Sequence, residues 1–299
     1  MILDFHATYN DLLFILIGEA GLEPIAPQTL KQAAIEINER TSEEVAVYNG
    51  GVGFAINMSE SRLPLPHCRK VFFKSVAVEV AWMLTGKKDI GFLQKYKVPF
   101  WDKFTEPGTN NIEAAYGYRW RHHFGRDQLL KAVEALRKDP SDRQVVICAW
   151  DPGSDALGSK VKKNVPCPVM FILNIVDGQL HMTLVIRSSD MFVGLPYDIM
   201  GYALLMKLFA TSLQVPLGIM HVTLAHAHIY MKHKSLVLTA LDNYKQSCWV
   251  REVNKIDPPM PEITLEQALE DPDNFIEQVL KLSKEARQTN LNLKPEVFE

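Results

Sequence analysis

The chain has 299 residues, 47% of them apolar and 22% charged, which is the composition of a folded globular protein and excludes a disordered one. That length is long for one domain and short for two. A net charge of -3, from 32 basic and 35 acidic residues, excludes a basic nucleic-acid-coating protein, so no nucleic-acid partner is expected. In chain order, the apolar run Leu12–Ile17 is short and follows Asp4 and Asp11, which argues against a secretory signal. Residues Thr29–Arg40 read as a helix and Glu44–Ile56 as extended chain. Phe72–Leu84 reads as a helix because Phe72, Val76, Val80 and Met83 recur at helical spacing. Asp127–Lys138 reads as another, stopped by Asp139-Pro140. Gln144–Trp150 is a β-branched run and reads as a strand. Met170–Val176 and Gln179–Arg187 flank Asp177-Gly178, which predicts a tight β-hairpin. Ile199–Ser212 reads as a buried helix and 273–287 as a surface helix. The stretch Leu208–Met231 has no Lys, Arg, Asp or Glu, yet it carries Gln214, Pro216, Gly218 and three histidines. It reads as core, and no membrane partner is expected. The four cysteines, Cys68, Cys148, Cys167 and Cys248, show no paired spacing, which points to a reduced, cytoplasmic protein. Strands and helices mix without a βαβ rhythm, so the expected class is α+β with a mixed or largely antiparallel sheet flanked by helices.

Three features stand out as chemistry. Glu79 shares the apolar face of its helix with Val76 and Met83. A carboxylate there is either paired or functional, or it lies at the helix edge and snorkels to water. Cys167 sits between Pro166 and Pro168, just ahead of a strand, so a stiff turn presents the thiol. Arg187 lies at the far end of the hairpin, where strand pairing would bring its cation to the sulfur and favour the reactive thiolate. A small core cysteine is the alternative, and it is the expectation for Cys68, Cys148 and Cys248. His221, His226, His228 and His233 cluster, but no carboxylate lies among them, so no metal site is expected.

Val165-Pro-Cys-Pro, then Arg187-Ser-Ser-Asp-Met-Phe-Val-Gly-Leu-Pro-Tyr-Asp198, then His228-Ile-Tyr230 resemble the core of thymidylate synthases and pyrimidine-nucleotide hydroxymethylases. Trp101-Asp102, Tyr116-Gly117, Ser141-Asp-Arg-Gln and the Glu79 helix follow the same family's order. The resemblance runs from about Arg40 to about His233, and residues 1–299 are expected to form one catalytic domain. It implies Cys167 as the nucleophile that adds to C6 of the pyrimidine, with Glu79 as the acid/base and Tyr116 beside the reacting carbon. It implies 5,10-methylenetetrahydrofolate as the one-carbon donor, with Trp101, Asp190 and Gly194 on the folate side. Arg187, Ser188 and Arg40 would hold the nucleotide phosphate. His228 and Tyr230 would hold the sugar. Arg143, in the segment that resembles the family's arginine-bearing strand, would reach the phosphate of a partner subunit, because the family forms homodimers with shared sites packed through the sheet.

The departures narrow the substrate. Thymidylate synthases have an asparagine where this chain has Asp198. Cytosine presents an acceptor at N3 and a donor at the 4-amino group, the reverse of uracil. A carboxyl group that shares one proton with the base matches that pattern. The phage deoxycytidylate hydroxymethylases carry the same change. Pro168 replaces a histidine, Gln144 replaces a second phosphate arginine for which Lys162 or Lys163 would compensate, and His226 stands where an aspartate is frequent. The ending Lys294–Glu299 does not resemble the family's apolar closing tail, which favours water addition over hydride transfer. The expected reaction is therefore 5-hydroxymethylation of a cytidine monophosphate, with dCMP preferred. A dCMP methyltransferase, a CMP hydroxymethylase and a dUMP thymidylate synthase are the alternatives.

Overall fold

The structure is a computed structural model describing residues 5–17, 34–38, 41–48, 50–157, 164–249, 257–286, 288, 291–293 and 295. The first helix, α1 (Phe5–Ile17), precedes three strands, β1 (Ala34–Asn38), β2 (Glu43–Val47) and β3 (Val52–Asn57). Next come α2 (Phe73–Thr85), α3 (Gly91–Lys95) and α4 (Tyr116–Tyr118), which continues into a π-helical turn at Arg119–His123. Then follow α5 (Gln128–Lys138), β4 (Val146–Cys148), β5 (Pro168–Val176), β6 (Gln179–Ile186) and β7 (Ser189–Asp190). The chain continues through α6 (Leu195–Leu213), β8 (Leu217–Leu224), β9 (Ala227–Tyr230), α7 (Lys234–Trp249), α8 (Leu265–Glu270) and α9 (Pro272–Leu282).

The class is α+β, as expected, but the strands divide between two sheets. Among the described residues one has the order β1-β2-β9-β7 and the other β3-β8-β6-β5-β4. β6–β8 and β7–β9 are parallel, and the remaining pairs are antiparallel. Strand alternation gives the larger sheet two unlike faces. Phe171, Leu173, Met182, Leu184, Met220 and Val222 are buried against the helices. On the other face Met170, Ile172, Thr183, Val185, Ile219 and Thr223 stay partly open, and His221 is exposed.

Local signals explain most elements. Asp177 and Gly178 both have positive φ, 49° and 71°, the two left-handed positions a type I′ turn requires. This turn fixes the β5–β6 register. Asp127 caps α5 by accepting from the N–H groups of Leu129 and Leu130 at 3.1 and 3.2 Å. α2 buries Val76, Ala77, Val80, Ala81, Trp82 and Leu84 against α6 and α9. Gly117 is where α4 meets the end of α2: a Cβ there would lie 1.8 Å from the Met83 carbonyl. Only glycine permits that approach.

Two expectations are corrected. The helix expected at Thr29–Arg40 is not formed at Ala34–Asn38, which is strand β1, paired Ala34↔Val47 to Asn38↔Glu43. Alternation of Ile35, Glu36 and Ile37 suits a strand, and pairing with β2 decides the outcome. The rest of that expectation lies outside the described residues. The strand expected from Gln144 begins only at Val146, because the Asp142 carboxylate accepts from the N–H of Gln144 at 2.8 Å and holds a turn there. Arg143 is therefore exposed in a bend ahead of β4. Among the described residues no helix is long and apolar enough to cross a membrane.

Candidate active site

The β5–β6 hairpin brings Cys167 and Arg187 together across the sheet. The Arg187 N–H donates to the Cys167 carbonyl at 2.8 Å. Its guanidinium then folds around the Pro-Cys-Pro turn, donating to the carbonyls of Pro166 (2.8 Å) and Val165 (3.0 Å), with Nη2 3.6 Å from the Cys167 sulfur. The cation reaches the thiol as the hairpin predicts. The other flank of the turn is held by Tyr116, whose hydroxyl accepts from the Cys167 N–H at 3.0 Å.

From Tyr116 the site continues to Glu79. The Trp101 ring lies edge-on to Tyr116, 6.1 Å between centroids, and Trp101 Nε1 donates to Glu79 Oε1 at 2.7 Å. Glu79 is not a snorkelling edge residue, and among the described residues it has no ion pair: it lies inside the site, hydrogen-bonded to an indole. Burial raises its carboxyl above the ordinary 4.5, and the Trp101 hydrogen bond opposes that rise. The Tyr116 phenol is pushed up by burial, then by the neighbouring Cys167 and Asp198.

Asp198 occupies the first turn of α6. Its carboxyl is held well above the ordinary 3.8 by burial, then by the charges of Glu79 and Asp190. Asp198 keeps some solvent exposure. Asp190 is raised by burial and lowered by the N–H groups of Val193 and Phe192 and by the charges of His233 and Arg69. Its Oδ1 accepts from both N–H groups at 3.0 Å. Gly194 follows at the N-cap of α6, its N–H donating to the Asp190 carbonyl at 3.0 Å.

His228 and Tyr230, the pair expected on the sugar side, sit next to this group. β7 pairs with β9 so that Asp190 lies opposite His228. Both His228 and Tyr230 are buried, with ring centroids 5.5 Å apart. Ser188 lies between Arg187 and β7 and is half-buried. Cys167, Tyr116, Trp101, Glu79, Asp198 and Asp190 thus form one continuous cluster, with Arg187, Ser188, His228 and Tyr230 along its rim. Arg40, Lys162 and Lys163 lie outside the described residues, as does most of the segment 294–299. Among the described residues no cluster of His, Cys, Asp and Glu is arranged to hold a metal ion.

Sequence reading missed two residues. Tyr202 is buried one helical turn after Asp198, and its phenol is raised well above 10 by burial, Asp198, Glu79 and Cys167. The i, i+4 spacing from Asp198 was the available signal. Arg69, buried beside the Asp190 turn, had none.

The thymidylate synthase family model matches residues 26–267. That range extends beyond the motif segment Arg40–His233 on both sides and covers most of the chain. The protein belongs to the thymidylate synthase family. It is accordingly a folate-dependent transferase that moves a one-carbon unit from methylenetetrahydrofolate to a pyrimidine nucleoside monophosphate.

Proposed function

We propose that the enzyme acts on a cytidine monophosphate, dCMP in preference to CMP, and produces the 5-hydroxymethyl nucleotide. The observation that carries this reading is Asp198. Its carboxyl, raised by burial and by two carboxylate neighbours, favours the protonated form. A protonated carboxyl donates one hydrogen bond and accepts one. Cytosine N3 receives the donated bond, and the cytosine 4-amino group fills the acceptor. Uracil presents only a 4-carbonyl to the acidic O–H, a far weaker base than a ring nitrogen.

The remaining residues supply the chemistry. Cys167, with the Arg187 cation at its sulfur, adds as thiolate to C6 and leaves C5 electron-rich. Arg187 Nη1 makes no hydrogen bond among the described residues, which leaves it for the phosphate with Ser188 and Arg40. His228 and Tyr230 hold the sugar. Tyr116 stands beside the reacting carbons, and Glu79 moves protons at the base through its Trp101-held carboxyl. Asp190, whose Oδ2 makes no hydrogen bond among the described residues, and the Trp101 indole fit a flat, amino-bearing pterin, with Gly194 lining that side. Bound 5,10-methylenetetrahydrofolate supplies the one-carbon unit. Loss of the C5 proton releases tetrahydrofolate from the transferred carbon and leaves an exocyclic methylene on C5; water adds to that methylene, the Cys167 thiolate is expelled from C6, and the base keeps a hydroxymethyl group.

The chain acts as one catalytic domain and pairs as a homodimer through the open face of the larger sheet. That face carries Met170, Ile172, Val185 and Ile219 without an ionised carboxylate or lysine among them, and it suits burial against a second copy. Arg143, exposed at the rim of the same sheet, serves the partner's phosphate. The decisive experiment is mass spectrometry of the product after incubation with methylenetetrahydrofolate and dCMP, CMP or dUMP in turn. A mass gain of one CH₂O on dCMP supports the reading. A methyl product, or turnover of dUMP alone, overturns it.

A further inference from the structure

Arg69 is a buried cation with an unusual set of neighbours. It lies in the segment leading to α2 and is 2% exposed. Nη2 donates to the Phe192 carbonyl at 2.6 Å. The guanidinium also lies over two rings, 5.0 Å from the Phe192 centroid and 5.9 Å from that of Tyr197. Among the described residues Nε has no hydrogen-bond partner, and no direct ion pair joins Arg69 to a carboxylate. A buried cation without a contact anion is costly, so something nearby must compensate it.

The contacts show what Arg69 holds. Phe192 is gripped at both ends: its N–H donates to Asp190 Oδ1 at 3.0 Å, and its carbonyl accepts from Arg69. Tyr197, the other ring under the guanidinium, immediately precedes Asp198 and packs on Phe100, 5.4 Å between centroids. Phe100 in turn immediately precedes Trp101. One side chain therefore touches the turn that orients Asp190 and the first turn of α6 that carries Asp198. Asp190 interacts electrostatically with Arg69 ahead of α2, His233 after β9, Tyr9 on α1 and Asp198 on α6, and His228 lies opposite it on β9.

We propose that Arg69 is a positioning residue for the folate side of the site, locking the Asp190–Tyr197 segment and supplying the positive charge that Asp190 needs to receive the pterin as a carboxylate. The proposal rests on the assignment of Asp190 to folate made above. Burial raises Asp190, and the Arg69 charge is among the influences that bring it back down. Removing that charge moves Asp190 further up, so the ionised form is lost at a higher pH.

The test uses the full-length enzyme and the variants Arg69→Met, Arg69→Lys and Asp190→Asn, with KM for methylenetetrahydrofolate, nucleotide Kd and the pH profile of kcat/KM for the folate. For Arg69→Met we expect a folate KM raised about tenfold or more, equivalent to about 1.4 kcal/mol. Nucleotide Kd should change by less than about twofold, and the acid limb should move to higher pH. Arg69→Lys keeps the charge without the two-ring fork, so its acid limb stays in place while its folate KM rises. Folate KM and acid limb both unchanged in a folded Met variant overturn the proposal, and so does a parallel loss of folate and nucleotide binding with the limb unmoved. If Arg69→Met does not fold, a Lys variant with wild-type folate KM overturns it equally. Asp190→Asn separates the two assignments: if that variant leaves folate KM unaltered, the assignment of Asp190 to folate is what fails, and the role of Arg69 falls with it.

Discussion

Replacing Asp198 by Asn exchanges an acidic O–H for a weakly acidic amide N–H at the proposed base-recognition position. The carboxyl of Asp198 is raised by burial, Glu79 and Asp190, so the folded enzyme holds this proton over a pH range in which the unfolded chain has released it. Two consequences follow from that sign. The contribution of Asp198 to stability is fully present below the ordinary value of 3.8 and falls as pH rises toward the raised folded value. The amide of the Asp198→Asn variant cannot ionise, so the variant lacks that fall and is the more stable protein at the upper end of the window. For substrate choice, the exchange weakens the hydrogen bond donated to the base, and a bond of this kind contributes about 1–3 kcal/mol, or about 5- to 150-fold in relative kcat/KM. Cytosine N3 gains most from an acidic donor, so Asp198→Asn is expected to move preference from dCMP toward dUMP by a factor in that range. Proton uptake on binding dCMP is expected only above the raised pKa of Asp198, where wild-type affinity also declines. The assays are kcat/KM for dCMP and dUMP across a pH series, with product mass determined for each, and thermal melts of both proteins. Wild type preferring dUMP, or an unchanged base preference in the variant, would refute the role of Asp198.

The other predictions concern different parts of the site. Cys167→Ser is expected to lower turnover at least about 10³-fold while nucleotide binding, measured by calorimetry, remains close to wild type; substantial residual turnover would exclude covalent catalysis here. Trp101→Phe removes the indole N–H that favours ionised Glu79, so the kinetic limb reporting Glu79 is expected to move to higher pH; an unmoved limb would show that this bond does not set the acid/base. Gly117→Ala places a methyl group 1.8 Å from the Met83 carbonyl before relaxation, and a loss of about 3 kcal/mol or more is expected in denaturant melts. Mixing Arg143→Ala with Cys167→Ala subunits is expected to restore up to about a quarter of the sites if each site is shared; no recovery in heterodimers shown to form would mean that one chain builds each site alone.

Much of the fold is legible in the sequence because it depends on neighbours in the chain. The turn at Asp177-Gly178 is set by two residues that accept positive φ. The Phe72–Leu84 helix follows from apolar spacing, and α5 from an Asp cap and a proline stop. These are short-range effects, and the structure places all three within a residue or two of expectation. Ala34–Asn38 misleads because helical composition and strand alternation compete there, and the deciding hydrogen bonds come from β2, which in turn pairs with β9. The start of β4 misleads for a smaller reason, an Asp142 side chain that takes the N–H a strand would have used.

The site divides in the same way. Sequence alone determined which residue types stand ready: a thiol on a stiff turn, a carboxylate on an apolar helix face, an arginine at the end of a hairpin, and Asp198 in place of an amide. Only the tertiary structure decided their state. Tyr116 meets Cys167 across 51 residues, and Arg69 meets Phe192 across 123, separations at which no local spacing rule operates. The protonation of Glu79, Asp190 and Asp198 was equally out of reach. A carboxyl's affinity for its proton is set by how much water the fold removes and which charges it brings close, and both are properties of the packed chain.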